Sequence, residues 1–328
     1  MNAVLQQRPA ASRAISPSPP EFARDVLAGL RQAHKSIPCT WLRDARGCEL
    51  FEAITRLPEY YATRTEHWIL QRCVQQIAAA AGPGATLVEL GSGSTHKTAT
   101  LLTALQSPGL YVPIDIAAPR LEALVQTLRA DFAGLRVEPL VADFTRLTAL
   151  PVLAQGERHG RRLVFFPGTT VGNFTPEQAI ALLERIARLV GDGALLVVGA
   201  DACVDPKLLL PAYDDTQGAT AAFNKNLLTR INTELGANFV LDAFRHEARW
   251  DAQRQRIEMH LVSRAAHSVQ LRGESFAFED GESIHTENSY KYGFFKFQAL
   301  ARRAGWTHRQ FWTDGQARYG VHVLEHVR

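Results

Sequence analysis

Thr86-Leu87-Val88-Glu89-Leu90-Gly91-Ser92-Gly93-Ser94 is the stretch that decides the fold. Its first five residues are a short, largely apolar run between the breaker Gly82-Pro83-Gly84 and Gly91. That is how a strand buried on both faces reads. The glycines behind it let the backbone approach a ligand closely, and the helix expected over Lys97–Leu105 presents its unpaired N–H groups there. A dinucleotide fingerprint would continue G-x-G-x-x-G, but the third glycine position is His96. The E-x-G-x-G form suits a smaller, zwitterionic nucleoside such as S-adenosylmethionine, with Gly91, Ser92 and Gly93 at the ligand.

Outward from this loop the chain alternates. Strands are expected at Thr86–Leu90, Tyr111–Ile114, Val137–Val141, Arg162–Phe166 and Ala194–Ala200, with helices over Lys97–Leu105, Arg120–Phe132 and Pro176–Val190. Strands separated by helices imply right-handed crossovers and a parallel sheet, so the fold class is α/β with a Rossmann-like core. Asp115 closes the second strand, 24 residues after Gly91, where a carboxylate can accept from ribose hydroxyls. Asp143-Phe144 follows the third strand, where the acid meets an adenine amino group and the ring lines its pocket. One Asp at a strand end is usually a helix cap, whereas three coordinated positions point to an adenosyl-dependent methyltransferase. A nicotinamide oxidoreductase is the alternative. No D-P-P-Y segment follows the fourth strand, which disfavours base amino-methylation. Pro167–Phe174 stands there instead, with Gly168 and Gly172 as sources of room and Asn173 able both to donate and to accept.

The flanks bound the rest. Residues 1–20 read as a disordered leader, 21–81 as the helical part of a substrate domain with its first helix over Phe22–Lys35, and 82–200 as the nucleoside-binding core. Residues 201–295 form an α+β insertion belonging to that smaller substrate domain, with Ser268–Phe278 expected as one strand, and 296–328 return to the core. The 328 residues carry a net charge of +3 with no basic stripe, so nucleic acid is not an expected partner. No apolar stretch approaches the roughly 20 residues of a membrane helix. Four scattered cysteines without a C-x-x-C pair argue against zinc and disulfides and for reduced thiols. The expectation is a cytoplasmic monomer without metal.

Further motifs carry a resemblance. Leu57-Pro58-Glu59-Tyr60-Tyr61-Ala62-Thr63-Arg64-Thr65-Glu66 stands with Glu89–Gly93, Pro167–Phe174, Ala212-Tyr213-Asp214-Asp215, Ala221-Ala222-Phe223-Asn224 and His285-Thr286-Glu287-Asn288-Ser289. From about residue 35 onwards the chain resembles the histidine-specific Nα-methyltransferases, which make hercynine, the first intermediate of ergothioneine biosynthesis. The resemblance implies cofactor contacts at Gly91, Lys97, Asp115, Asp143 and Phe144. It implies histidine contacts at a tyrosine of the Tyr60–Tyr61 pair, Tyr60 being preferred, and at Asn173, Tyr213, Glu287 and Ser289. Met259 corresponds to an apolar residue against the imidazole. His285, Tyr290 and Tyr292 read as structural or lid residues. A related enzyme acting on another amino acid or amine is the remaining alternative.

The chemistry this implies is undemanding in acid–base terms. Displacement at a sulfonium methyl depends mainly on placing the amine lone pair in line, and an α-amine loses its proton near pH 8. No strongly basic residue is required; Tyr60 and Asn173 position, and water takes the proton. Lys97 in a first helical turn is unfavourable unless a carboxylate is near, and the methionine carboxylate of the cofactor would supply one.

Overall fold

The structure is a computed structural model that describes residues 19–92, 95–154 and 160–327. Nearly all of the leader, and Gly93 of the glycine loop, lie outside these residues.

Among the described residues, three α-helices precede the core: α1 (Pro19–Leu30), α2 (Ala45–Thr55) and α3 (Tyr61–Ala81). Asp44 caps α2 by accepting from the Gly47 N–H at 2.7 Å, and Gly82 at φ +74° stops α3. The core then alternates β1 (Thr86–Leu90), α4 (Thr95–Ala104), β2 (Leu110–Asp115), α5 (Ala118–Asp131), β3 (Leu140–Val141), β4 (Arg162–Phe166), α6 (Pro176–Val190) and β5 (Leu195–Asp201). Beyond it lie α7 (Pro206–Tyr213), α8 (Ala219–Leu235), β6 (Phe244–Asp251), β7 (Arg256–Ser263), β8 (His267–Leu271), β9 (Glu274–Phe278), β10 (Ser283–Tyr290), α9 (Phe294–Arg303), β11 (Trp306–Thr313) and β12 (Tyr319–His326).

Seven strands form one mixed sheet in the order β11-β12-β5-β4-β1-β2-β3. Strands β1 to β5 are parallel, while β12 runs antiparallel to β5 and β11. The chain moves outward from β1 to β3 and then returns to β1's other side with β4. The carboxyl edge between β1 and β4 is therefore the switch point where open α/β sheets bind ligands. A separate antiparallel sheet, β10-β7-β6, and the hairpin β8-β9 complete the fold.

Three elements differ from the periodicity reading. The third strand is only Leu140–Val141, with Val137 making a lone bridge to Tyr111. Ser268–Phe278 is a hairpin because Arg272 and Gly273 adopt φ +49° and +84°, the geometry of a two-residue turn. The first helix stops at Leu30 rather than Lys35, since the segment behind it pairs with β10. There the Ile37 N–H donates to the His285 carbonyl at 2.9 Å, and the His285 N–H to that of Lys35 at 2.9 Å.

Glu89 anchors the switch point from below. Fully buried, it accepts from Thr98 Oγ1 at 2.9 and 2.8 Å and from the Tyr111 hydroxyl, tying β1 to α4 and β2. Burial outweighs these bonds and pushes its carboxyl up to about 7. A carboxyl raised above its unfolded value of 4.5 favours folding while protonated, and that contribution is lost as pH rises through about 7. Glu89→Gln should therefore gain stability relative to the parent between about pH 5 and about pH 8, as read by urea unfolding at both ends of that window.

Candidate active site

The carboxyl edge gathers the nucleoside-side residues. Gly91 takes φ +72°, and its N–H donates to the Ile114 carbonyl at 2.9 Å. Ser92 Oγ accepts from the Ile114 N–H at 3.1 Å, so the loop is stitched to β2. A Cβ on Gly91 would lie 3.8 Å from the Phe144 ring, which packs edge-on against Phe166 at 5.6 Å. Asp115 at the end of β2 accepts from the Ala117 N–H at 2.8 Å, and burial raises its pKa above the ordinary range. Asp143 accepts from the N–H and hydroxyl of Thr145 at 2.8 and 2.6 Å. Gly91, Ser92, Asp115, Asp143 and Phe144 thus share one rim, a donor and acceptor set that fits a nucleoside.

Lys97 lies buried in the first turn of α4 with its ammonium on Glu66 of α3. The other Glu66 oxygen accepts from the Gly168 N–H at 2.8 Å. The nearby anion that the sequence reading sought in the ligand is thus also supplied by the chain. The pair joins α3, α4 and the loop behind β4.

The acceptor side is built by a bulge. In β10, His285 faces His260 of β7, but Glu287 faces Met259, leaving Thr286 as the extra residue. Without it, strand alternation would place Glu287 and Ser289 on the opposite face. With it they share the face of Ile284, Leu261, Met259 and Ile257, onto which α7 and α8 pack. His246 on that face bonds Asn224 of α8 at 2.9 Å and the Tyr213 carbonyl of α7 at 2.7 Å.

Glu287 is buried, and its Oε2 has no hydrogen-bond partner. Burial raises its pKa, against the nearby charges of Arg43 and Lys291. Arg43 holds its guanidinium 3.9 Å over the Phe51 ring and lines a 540 Å³ cavity reaching Ile116–Arg120 behind β2. Beside Glu287, the Ser289 and Tyr213 hydroxyls lie 2.7 Å apart. The fully buried Lys291 donates to Ser289 Oγ at 2.9 Å, Tyr213 Oη at 3.1 Å and Asp201 Oδ2 at 2.7 Å.

The tyrosine pair divides. Tyr61 donates to Asp201, lying 2.8 Å from both carboxylate oxygens. Tyr60 stands edge-on to the Tyr213 ring at 6.0 Å, and Thr169 lies beside both phenols. Burial keeps the Tyr60 and Tyr213 hydroxyls protonated at any physiological pH.

Asn173 is half-buried at the end of a short 3-10 turn, Thr170–Asn173. Gly168 has φ +81°, and a Cβ there would meet only Thr170 Oγ1 at 3.6 Å. Gly172 does not provide room: a Cβ would sit 2.7 Å from the Tyr290 carbonyl oxygen, so this glycine lets the turn press against β10. Gly172→Ala should cost about 1–3 kcal/mol of unfolding free energy and displace Asn173, lowering activity with it. His285 faces away from Glu287's pocket, beside His260 at 5.2 Å, and burial lowers its pKa to about 4.

Glu66, Asp201, Lys291, Arg43 and Thr169 escaped the sequence reading. A signal existed for two of them. Lys291 follows Ser289 by two residues, which in a strand means the same face, and Asp201 ends β5 as Asp115 ends β2.

A nucleoside rim at the switch point of a Rossmann-like sheet, beside a buried polar cluster in which Glu287 keeps one oxygen unbonded, is the arrangement of an S-adenosylmethionine-dependent methyltransferase with a small polar acceptor. The chain belongs to the family described as "Histidine-specific methyltransferase, SAM-dependent", which matches residues 22–326. It is 41% identical over 304 residues to the histidine N-alpha-methyltransferase of Mycolicibacterium smegmatis, covering 91% of this chain and 92% of that protein. The histidine N-alpha-methyltransferase of Mycobacterium tuberculosis is 40% identical over the same shares. Ergothioneine biosynthesis protein 1 of Neurospora crassa is 27% identical, over 90% of this chain and 33% of that protein. The nicotinamide alternative finds no support in these likenesses. No cluster of three or more His, Cys, Asp or Glu side chains able to hold a metal, and no helix long and apolar enough to cross a membrane, occurs among the described residues.

Proposed function

We propose that this enzyme transfers three methyl groups in succession from S-adenosylmethionine to the α-amino nitrogen of L-histidine, giving hercynine as the first step of ergothioneine biosynthesis. The observation that carries the reading is Glu287: a buried carboxylate with an oxygen left unbonded, on one strand face with Ser289 and Met259, where Tyr213 of α7 meets Ser289. Such a group is costly unless a ligand N–H completes it, and an imidazole brings that N–H where a phenyl ring does not.

When bound, S-adenosylmethionine supplies a sulfonium methyl open to in-line displacement. Gly91, Ser92, Asp115, Asp143 and Phe144 would hold it along the rim, with Lys97 beneath them on Glu66, and Gly93, outside the described residues, is kept as a contact from the sequence. Tyr60, Asn173 and Tyr213 orient the amine and carboxylate of histidine, Glu287 accepts from one ring N–H, Ser289 meets the other nitrogen, and Met259 packs against the ring. Tyr61 supports this arrangement through Asp201. Gly168 leaves space as methyls accumulate. No side chain need act as a strong base, because the amine deprotonates near pH 8.

We further infer a cytoplasmic monomer whose partners are small molecules. The four cysteines are free thiols, as a reducing compartment would leave them.

The reading is tested by calorimetric titration of the protein, saturated with S-adenosylhomocysteine, with L-histidine and L-phenylalanine. Histidine should bind at least about tenfold more tightly. Equal affinities would remove the assignment of Glu287 to the ring.

A further inference from the structure

We propose that Lys291 is a positioning residue that makes Ser289 a hydrogen-bond donor only, so that the pocket takes the substrate ring as neutral imidazole in a single tautomer. The inference rests on the histidine reading above and deepens it.

The argument is a count of protons and lone pairs. An ammonium has three protons, and Lys291 places them on Asp201 Oδ2 at 2.7 Å, Ser289 Oγ at 2.9 Å and Tyr213 Oη at 3.1 Å. None is left for a ligand. The two hydroxyls, 2.7 Å apart, share one further bond, which uses one of their two protons. We assign Tyr213, the stronger acid, as the donor to Ser289, its own two lone pairs taking the Lys291 ammonium and the neighbouring Thr169 hydroxyl. Ser289 Oγ then accepts twice, from Lys291 and from Tyr213, and both its lone pairs are filled. What it offers the pocket is one O–H.

Glu287 offers the opposite. Its unbonded Oε2 is an acceptor. An acceptor and a donor on one strand face recognise a ring with one N–H and one bare nitrogen. Imidazolium would turn an N–H against the Ser289 O–H, with the Lys291 charge directly behind it.

The titratable and charged groups around the pocket are Glu287 and Lys291 at β10, His246 from β6, Asp201 and Cys203 at the end of β5, Tyr213 from α7, Tyr60 and Tyr61 at the start of α3, Tyr319 from β12, and Cys39 and Arg43 ahead of α2. Asp201 is already engaged by Lys291 and Tyr61, and Arg43 and Lys291 both oppose a third cation. Glu287 alone favours the charged ring.

The experiment is nitrogen NMR of ring-labelled L-histidine bound to the protein with S-adenosylhomocysteine at about pH 5.5, where the free ring is mostly protonated. The parent should show one protonated and one unprotonated ring nitrogen. In Lys291→Met, Ser289 regains a lone pair and the bound ring should show two protonated nitrogens, with KM for histidine raised more than kcat is lowered. Because that variant strands Asp201, the double variant D201N/K291M, which removes both charges together, serves as the second probe. Two protonated nitrogens in the parent, or a neutral ring persisting in either folded variant, would overturn the role given to Lys291. A parent that gives no bound-ring signal yet methylates another amine would instead overturn the histidine reading.

Discussion

Glu287→Ala is expected to lower kcat/KM for L-histidine by about 10- to 150-fold, the cost of one charge-assisted hydrogen bond of about 1.5–3 kcal/mol. The loss should appear chiefly in KM, because the carboxylate holds the ring rather than the reacting nitrogen. Affinity for S-adenosylhomocysteine should stay within about twofold, since the nucleoside rim lies on the other sheet. Discrimination should fall in parallel. With no buried carboxylate to leave unpaired, L-phenylalanine should compete far better against histidine than it does in the parent. Steady-state kinetics with both amino acids measures each part. An unchanged kcat/KM would place the ring elsewhere and return the acceptor to another amine.

Asp201→Ala should destabilise the protein by about 3–5 kcal/mol, a fall in Tm of roughly 4–7 °C. Asp201 is the anion for a Lys291 that water does not reach, and it also accepts from the Tyr61 hydroxyl and from the Cys203 N–H at 3.0 Å. Removing it leaves a buried cation and two donors without partners. The exposed pair Arg46–Glu49, with both side chains more than 60% accessible, is the control: Glu49→Ala should change stability by less than about 1 kcal/mol. Differential scanning calorimetry separates the two cases. Because Asp201 also orders Tyr61 and, through Lys291, Ser289 and Tyr213, whatever Asp201→Ala protein folds should lose histidine affinity as well.

The sequence revealed the core readily and the pocket unevenly, for physical reasons. Residues Thr86–Leu90 and their companions are short apolar runs punctuated by glycine and separated by helical periods, signals that tertiary context rarely reverses. The rim follows from them, because Gly91, Asp115 and Asp143 stand at strand ends that sequence spacing alone locates. The acceptor pocket does not follow. Which face of β10 Glu287 occupies depends on a one-residue bulge at Thr286, and a bulge has no signature in the pattern of apolar residues. Motif resemblance pointed to Glu287 and Ser289; strand alternation alone would not have placed them beside Met259. The Lys291–Asp201 pair was hidden for another reason. A lysine and an aspartate 90 positions apart read as two solvated charges until the fold brings them within 2.7 Å. Gly172 shows the opposite error, since a glycine in a loop reads as open space but here permits close approach of two backbones.

The central claim is that the pocket closed by Glu287 receives the ring of histidine while its α-nitrogen faces a transferable methyl group. Mass spectrometry of the purified protein incubated with S-adenosylmethionine and, separately, each standard amino acid tests this most directly. A gain of three methyl groups on L-histidine alone is the predicted result. Methylation of a different amine with histidine untouched would leave the nucleoside-binding core intact and contradict the account of the acceptor pocket.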